Sequence, residues 1–93
     1  MSSAPNILLH SPVSNADALE ELVETALRDG VELIATWGPG CEELHDRVDD
    51  IIIGDGSDES RFILTSWHSD ESLEEVREFM AVLKNPEFRE VRL

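Results

Sequence analysis

Two side chains near the middle of the chain, Cys41 and His45, have types and a spacing that chemistry could use. Cys41 lies near a predicted helix N-terminus, where free amides and the helix dipole favour a thiolate. Glu42 and Glu43 follow it directly, and their negative charge disfavours a further anion. The alternative is that Cys41 is a small buried residue on the apolar stripe of its helix, as most free cysteines are.

Cys41 and His45 are also four residues apart, so one helix face could present two metal ligands. His10 and His68 are the candidates for a third ligand. Metal sites usually have a denser set of ligands, and isolated histidines are mostly solvated or hydrogen-bonded. The sequence therefore predicts no metal and no other cofactor.

Several motifs are incomplete. Cys41 and Arg47 have the Cys-x5-Arg spacing of tyrosine phosphatases, but three acidic residues lie between them and would repel a phosphate dianion. The turn before Cys41 resembles a thioredoxin motif, yet Gly38 occupies the position of the attacking cysteine. The loop 11–15 has no glycine to approach a pyrophosphate. The loop 55–59 lacks the spacing of a calcium loop. None of these activities is predicted.

Apolar runs and turn residues predict four strands and three helices. The strands are Asn6–His10, Val31–Trp37, Arg61–Trp67 and Phe88–Leu93. The first helix is capped by Ser14 or Asn15 and ends at Gly30, the second begins near Cys41, and the third is capped by Ser69 or Asp70 and ends at Asn85-Pro86. The segment Ile51–Ile53 could be helix or strand, because consecutive β-branched residues prefer strands. The segment Gly54–Ser60 is a polar loop.

The alternation of strands and helices predicts an α/β fold in the order βαβαβαβ, with three layers and a mostly parallel four-stranded sheet. We expect the flavodoxin-like strand order 2-1-3-4. The first helix would then cover one face of the sheet, and the other two helices would cover the opposite face.

Ligands of such sheets bind beyond the carboxyl ends of the strands, where the strand order reverses. In the expected order that point lies between strands one and three. Five candidate ligand-binding residues leave the strands at this edge: His10, Trp37, Cys41, Trp67 and His68. Alternatively, the tryptophans extend a thin core and the polar residues cap helices. No residue is predicted to be catalytic.

The chain has 93 residues, which fits a single domain over 1–93. Its net charge is −14, from 21 acidic and 7 basic residues. Nucleic acid and anionic membranes are therefore poor partners, whereas a basic protein is compatible. Solubility is the other explanation of the charge. A homodimer is also possible, because so small a core is thin.

The single cysteine excludes an intrachain disulfide and suits a reducing cytoplasm. No apolar run reaches the length of about 20 residues that a membrane span requires. The N-terminal residues do not have the pattern of a signal peptide.

Two stretches resemble a known family. Trp37-Gly38-Pro39-Gly40-Cys41-Glu42 is similar to a Trp-Gly-Pro-x-Cys-Glu landmark, and the segment 65–75 is similar to Thr-x-Trp-His-x-Asp-Glu-Ser-Leu-Glu-Glu. Both landmarks belong to a family of small bacterial proteins of unknown function. The resemblance implies no catalytic roles.

The function is therefore left open between two classes. A non-enzymatic acidic module that binds or regulates a basic protein, as an immunity protein or antitoxin does, accounts for charge without a catalytic set. The alternative is a small enzyme, or a ligand or metal binder, at the strand ends near His10, Cys41 and His68.

Overall fold

A computed structural model of the protein describes residues 4–58 and 60–93, so Glu59 in the predicted loop Gly54–Ser60 lies outside the described residues. The strands are β1 (Asn6–His10), β2 (Leu33–Trp37), β3 (Leu64–His68) and β4 (Phe88–Arg92). The helices are α1 (Ala16–Asp29), α2 (Cys41–Ile53) and α3 (Leu73–Ala81). Within the described part of the chain, no helix combines the length and the apolar character needed to cross a membrane.

The four strands form one parallel sheet in the order β3-β2-β1-β4, which confirms the predicted α/β fold. The predicted strand order 2-1-3-4 must be corrected, because β1 pairs with β2 and β4 and does not pair with β3. The reversal of strand order consequently lies between β1 and β4. All four carboxyl ends nevertheless share one edge of the sheet.

The composition of β2 and β3 explains this order. The first four residues of β2, Leu33 to Thr36, are all buried, whereas β3 contains the half-buried Thr65 and Ser66 and the exposed Leu64. A strand with this polarity suits an edge, and the apolar β2 suits the interior, where both faces are covered. Helix and strand periodicity alone does not distinguish these two orders.

The helices α1 and α2 pack side by side on one face of the sheet, and α3 covers the other face. The predicted placement of α2 with α3 is therefore corrected. Right-handed crossovers from β1 to β2 and on to β3 move in one direction, which puts both intervening helices on the same face. The return to β4 moves in the other direction and brings α3 to the opposite face. The first core lies between the sheet and α1 and α2, and includes Ile7, Leu9, Leu19, Val23, Ile34, Val48 and Ile52.

The helix termini follow local chemistry. The Asn15 side chain caps α1, and Gly30 ends α1 in the left-handed conformation, as predicted. The cap of α3 is Ser72, which forms a capping box with Glu75, and not the predicted Ser69 or Asp70. Ile51–Ile53 are helical, because Ile52 continues the buried stripe of α2 into the core.

Candidate functional site

The carboxyl ends of the strands bring three of the five predicted residues into one row. His10, Trp37 and His68 are register partners across β1, β2 and β3, and Arg92 of β4 continues the row beside His10. Alternate residues of a strand share a face, so the row lies on the side of α3 with Leu8 and Ala35. The rings of His10 and Trp37 meet edge to face at 5.7 Å. Both histidines are buried, with exposed fractions of 7% and 8%.

A carboxylate orients His10. Its Nε2 atom lies 2.9 Å from Glu90 Oε1, and Arg77 of α3 donates two hydrogen bonds of 2.9 Å to the same carboxylate. The Arg77 guanidinium is the main cause that lowers the pKa of Glu90 below its usual value of 4.5, with a smaller contribution from His10. Glu90 therefore joins β4 to β1 and to α3. The Nδ1 atom of His10 has no hydrogen-bond partner among the described residues.

This arrangement predicts acid sensitivity. A carboxyl whose pKa is lower in the folded state stabilises the protein above its unfolded pKa, and that stabilisation is lost as the pH falls through the folded pKa. The stabilisation by ionised Glu90 is therefore lost over a pH range that begins near 4.5 and extends below it. Replacing Arg77 by methionine removes the main cause of the shift. We expect Arg77→Met to lower the free energy of unfolding more at about pH 6 than at about pH 3, measured by urea unfolding at both. An equal decrease at both pH values would contradict this role.

His68 is held on both ring nitrogens. Its Nδ1 lies 2.7 Å from Glu71 Oε1, and its Nε2 lies 2.9 Å from the hydroxyl of Ser66. The Trp37 indole N–H donates to the backbone carbonyl of Glu71 at 2.8 Å, so the same segment fixes both rings. Through these contacts His68 connects the end of β3 to the segment just before α3. They leave neither of its ring nitrogens free for a ligand without rearrangement.

The other two predicted residues lie across the sheet from this row. Trp67 precedes His68, and strand alternation turns it toward α2, where its ring lies 4.7 Å from that of His45. Cys41 is the first residue of α2 and is 2% exposed, which agrees with the small buried residue that was one of the two interpretations. The sheet therefore separates the five residues into a group of three and two others. Their role in ligand binding stays a prediction.

A polar cluster on the α2 side was not predicted as such. His45 contacts Asp46, Asp49 and Thr65, and the ligand atoms of His45, Asp46 and Asp49 all lie within 4.8 Å of one another. The sequence signal for this cluster is the spacing of four residues between His45 and Asp49. From the sequence we considered Cys41, four residues before the histidine, and not Asp49, four residues after it. Thr65 joins the cluster only because β3 pairs with β2.

The turn between β2 and α2 borders an open groove of about 520 Å³. Its lining includes Gly38, Pro39, Gly40, Glu42, Glu43 and Asp46. Amides at a helix N-terminus ordinarily favour anions, but three carboxylates line this groove and oppose them. The groove therefore does not suit a phosphate, in agreement with the sequence argument against a phosphatase.

Comparison with known families finds a family of unknown function. The model of a family described as "Domain of unknown function (DUF7684)" matches residues 4–92, which include every strand and helix. The chain belongs to the DUF7684 family. No curated protein and no solved structure matches it. The family description brings no activity, substrate or partner, so the function of this DUF7684 domain has to be argued from its own surface.

Charge is distributed unevenly over the surface of this DUF7684 domain. The helices α1 and α2 together carry ten carboxylates and two arginines, and nine of those carboxylates are exposed. On α1 they include Asp17, Glu20, Glu21 and Glu24, which line one shallow surface. On α2 they are Glu42, Glu43, Asp46, Asp49 and Asp50. We call the outer surface of these two helices the acidic face.

Proposed function

We propose that this domain is a non-enzymatic binding or regulatory module that holds a basic protein partner on its acidic face. The supporting observation is the side-by-side packing of α1 and α2, which puts ten of the 21 acidic residues of the chain on one side. The expected strand order would have divided these charges between two faces. Concentrated charge of one sign steers a partner of opposite sign and fixes its orientation.

The opposite side of the molecule is less charged. The helix α3 carries three glutamates and one arginine, and that arginine is paired with Glu90. Around it lie exposed apolar side chains of the β3 edge and of the α3 end: Phe62, Leu64 and Val82. A basic protein therefore has a clear electrostatic preference for the acidic face over the α3 side.

Few carboxylates of the acidic face are neutralised within the chain. Glu24 forms a bidentate pair with Arg61, with bonds of 3.0 and 2.7 Å, and this guanidinium lowers the pKa of Glu24. Asp46 and Asp49 contact His45. Among the described residues, the other seven carboxylates of the face have no ion pair. Their charges remain available to a partner.

The proposed setting is a bacterial cytoplasm. The single cysteine, which excludes an intrachain disulfide, and the resemblance to a bacterial family support this setting. In that setting an acidic module acts by occupying the basic surface of another protein. Nucleic acid and anionic membranes are not among the proposed partners, because phosphate would be repelled by the acidic face.

The experiment uses two variants that lose the same number of charges. The face variant combines Glu20→Gln and Glu43→Gln, whereas the control combines Glu74→Gln and Glu78→Gln on α3. All four side chains are exposed. Each chain is used as bait in a lysate of its native cells, at low and high salt, and the retained proteins are titrated against the purified chains.

We expect a retained basic protein whose affinity falls by about tenfold or more in the face variant and stays near the original value in the control. High salt should release it, because exposed charges are screened beyond about 10 Å at 0.1 M salt. Retention of no protein, or equal losses in both variants, would count against the acidic face as the binding surface.

A second candidate is a ligand site at the row of His10, Trp37 and His68, which the register brings together. The observation in its favour is the free Nδ1 of the buried His10 next to the Trp37 ring. A small molecule bound there should change the fluorescence of Trp37 in the Trp67→Phe variant, and His10→Gln should remove the change. If no class of metabolite changes the fluorescence of Trp37, this row is not a ligand site.

A further inference from the structure

The two edge strands of the sheet differ in the residues that they carry. Strand β4 contains Arg89, Glu90 and Arg92, and charged side chains on an edge strand hinder its pairing with another chain. Strand β3 and the two residues before it form the segment 62–68, which has no charged residue and no proline. This is unusual in a chain with 21 acidic and 7 basic residues. The edge at β3 therefore lacks the protection that β4 has.

Apolar side chains are exposed at this uncharged edge. Phe62, Leu64 and Trp67 have exposed fractions of 69%, 59% and 45%. They are three of the five large apolar residues that the described part of the chain exposes, and they lie within the segment 62–68. Strand alternation turns Leu64 toward the α3 side of the sheet and Trp67 toward the α2 side. Both faces of the sheet are consequently apolar beside this edge.

The backbone of β3 also has an unpaired side. The N–H of Leu64 donates to the Glu32 carbonyl beside β2 at 3.1 Å. Because successive residues of a strand point their backbone groups to opposite sides, Thr65 and Trp67 point theirs away from β2. Among the residues that the structure describes, no other segment pairs with these outward groups. They form a template to which another strand can be added.

We propose that a second copy of this chain pairs with β3, so that the two sheets become one sheet with four strands from each copy. A two-fold axis perpendicular to the sheet makes the two β3 strands antiparallel and keeps the α3 sides of both copies together. With this axis at Ser66, all five residues of β3 are paired, and Thr65 of each copy lies opposite Trp67 of the other. Each such pair exchanges two backbone hydrogen bonds and places an aromatic ring beside a β-branched side chain.

Charge favours a second copy as the occupant of this edge. Each copy has a net charge of −14, so two copies repel each other wherever their carboxylates meet, and the segment 62–68 contains none. A basic partner is drawn to the acidic face instead, because an uncharged strand offers it no electrostatic attraction. A chain of 93 residues also has a thin core, and the dimer would add the burial of Phe62 and Leu64 to it.

The dimer has a characteristic dependence on salt. The helix α2 contacts β3, so the α2 helices of both copies lie beside the interface, on the same side of the enlarged sheet. Their carboxylates repel one another, and 0.1 M salt screens exposed charges beyond about 10 Å. High salt should therefore strengthen the dimer, whereas it should release the basic partner of the proposed function. The dimer does not depend on that function.

The test is sedimentation equilibrium of the purified full chain over a range of concentrations, at low and high salt. We expect an equilibrium between monomer and dimer that shifts toward the dimer at high salt. Leu64→Glu places a charge on the edge and should weaken the dimer by about tenfold or more. Because Leu64 is exposed, this variant should fold, which circular dichroism checks. The control Ala16→Glu adds the same charge at the exposed first residue of α1 and should dimerise as the unchanged chain does.

A crosslink tests the position of the two-fold axis. Opposed residues of an antiparallel pair that are not hydrogen-bonded have Cα atoms about 4.5 Å apart, within the range of a disulfide. Ser66→Cys should therefore join two copies after mild oxidation, whereas Ala16→Cys should not. A chain that is monomeric at every concentration in both salts, equal effects of Leu64→Glu and Ala16→Glu, or a Ser66→Cys chain that does not crosslink would each overturn the proposal. Such a failure leaves the acidic-face test intact, because that test measures the retention of a basic protein.

Discussion

Replacing Gly38 by alanine is expected to destabilise the domain by about 3 kcal/mol or more. Gly38 has φ +113°, a conformation that residues with a side chain rarely adopt. An added Cβ would also lie 2.5 Å from the backbone oxygen of Ser11. Because this contact involves backbone, the ends of β1 and β2 would have to separate. Urea unfolding measures the effect, and the slope shows whether the compact state is preserved.

Gly30 supplies the matched control for this prediction. It also has a positive φ, of +79°, but an added Cβ would meet nothing within 4 Å. We expect Gly30→Ala to destabilise by about 1 kcal/mol, from the backbone conformation alone. If both glycines tolerate alanine equally, the close approach of the turn before α2 to Ser11 does not exist as described.

Replacing Asn6 by alanine is expected to destabilise the domain by about 2–4 kcal/mol, because both hydrogen bonds of a buried side chain are lost. Asn6 is 2% exposed, and its side-chain oxygen accepts from the Leu33 N–H at 3.1 Å. Its Nδ2 donates to the Asn85 carbonyl at 3.0 Å. The side chain thus joins the starts of β1 and β2 to the segment before β4. Alanine leaves Leu33 N–H and Asn85 C=O without these partners.

Ser14→Ala provides the comparison for Asn6, because it removes an exposed hydrogen bond of 2.8 Å to the Leu93 carbonyl. An exposed group that loses its partner turns to water, so we expect a change within about 0.5 kcal/mol. Equal effects of the two substitutions would mean that Asn6 does not serve as a buried link between strands. Both are measured by thermal and urea unfolding.

The elements of the fold could be predicted because each has a local cause. Asn15 and Gly30 mark the limits of α1, and the apolar run Ile7–Leu9 indicates a strand covered on both faces. The strand order could not be predicted in the same way, since it depends on which strands pair. The polarity of Thr65 and Ser66 was a usable signal that β3 belongs at an edge.

The candidate site was predicted only partly, for the same reason. Parallel strands place His10, Trp37 and His68 at one edge in either order, although the predicted third strand ended at Trp67 and β3 ends at His68. Their alignment as register partners depends on the pairing of β2 with both β1 and β3.

The partners of the two histidines differ in origin. Glu90 of β4 is far from His10 along the chain, and only the strand pairing brings the two together. Glu71 is three residues from His68, so the sequence spacing could have indicated that pair but not the first.

The acidic face depends on the same topology. The charges of α1 and α2 were visible in the sequence, but only the order β3-β2-β1-β4 puts both helices on one side. The long-range pairing of the strands thus brings the charges of two separate helices onto one surface. The homodimer that the small core suggested stays a prediction. The relevant surface for it comprises the exposed Phe62, just before the edge strand β3, and Leu64 at the start of that strand.

The most direct test of the proposed function is amide hydrogen exchange of the chain with and without the basic protein that it retains. Binding of the partner should slow amide exchange in α1, in α2 and in the loops beside them. Exchange in β3 and α3 should stay unchanged. Protection confined to the α3 side, or no retained basic protein to add, would contradict the assignment of the acidic face as the binding surface.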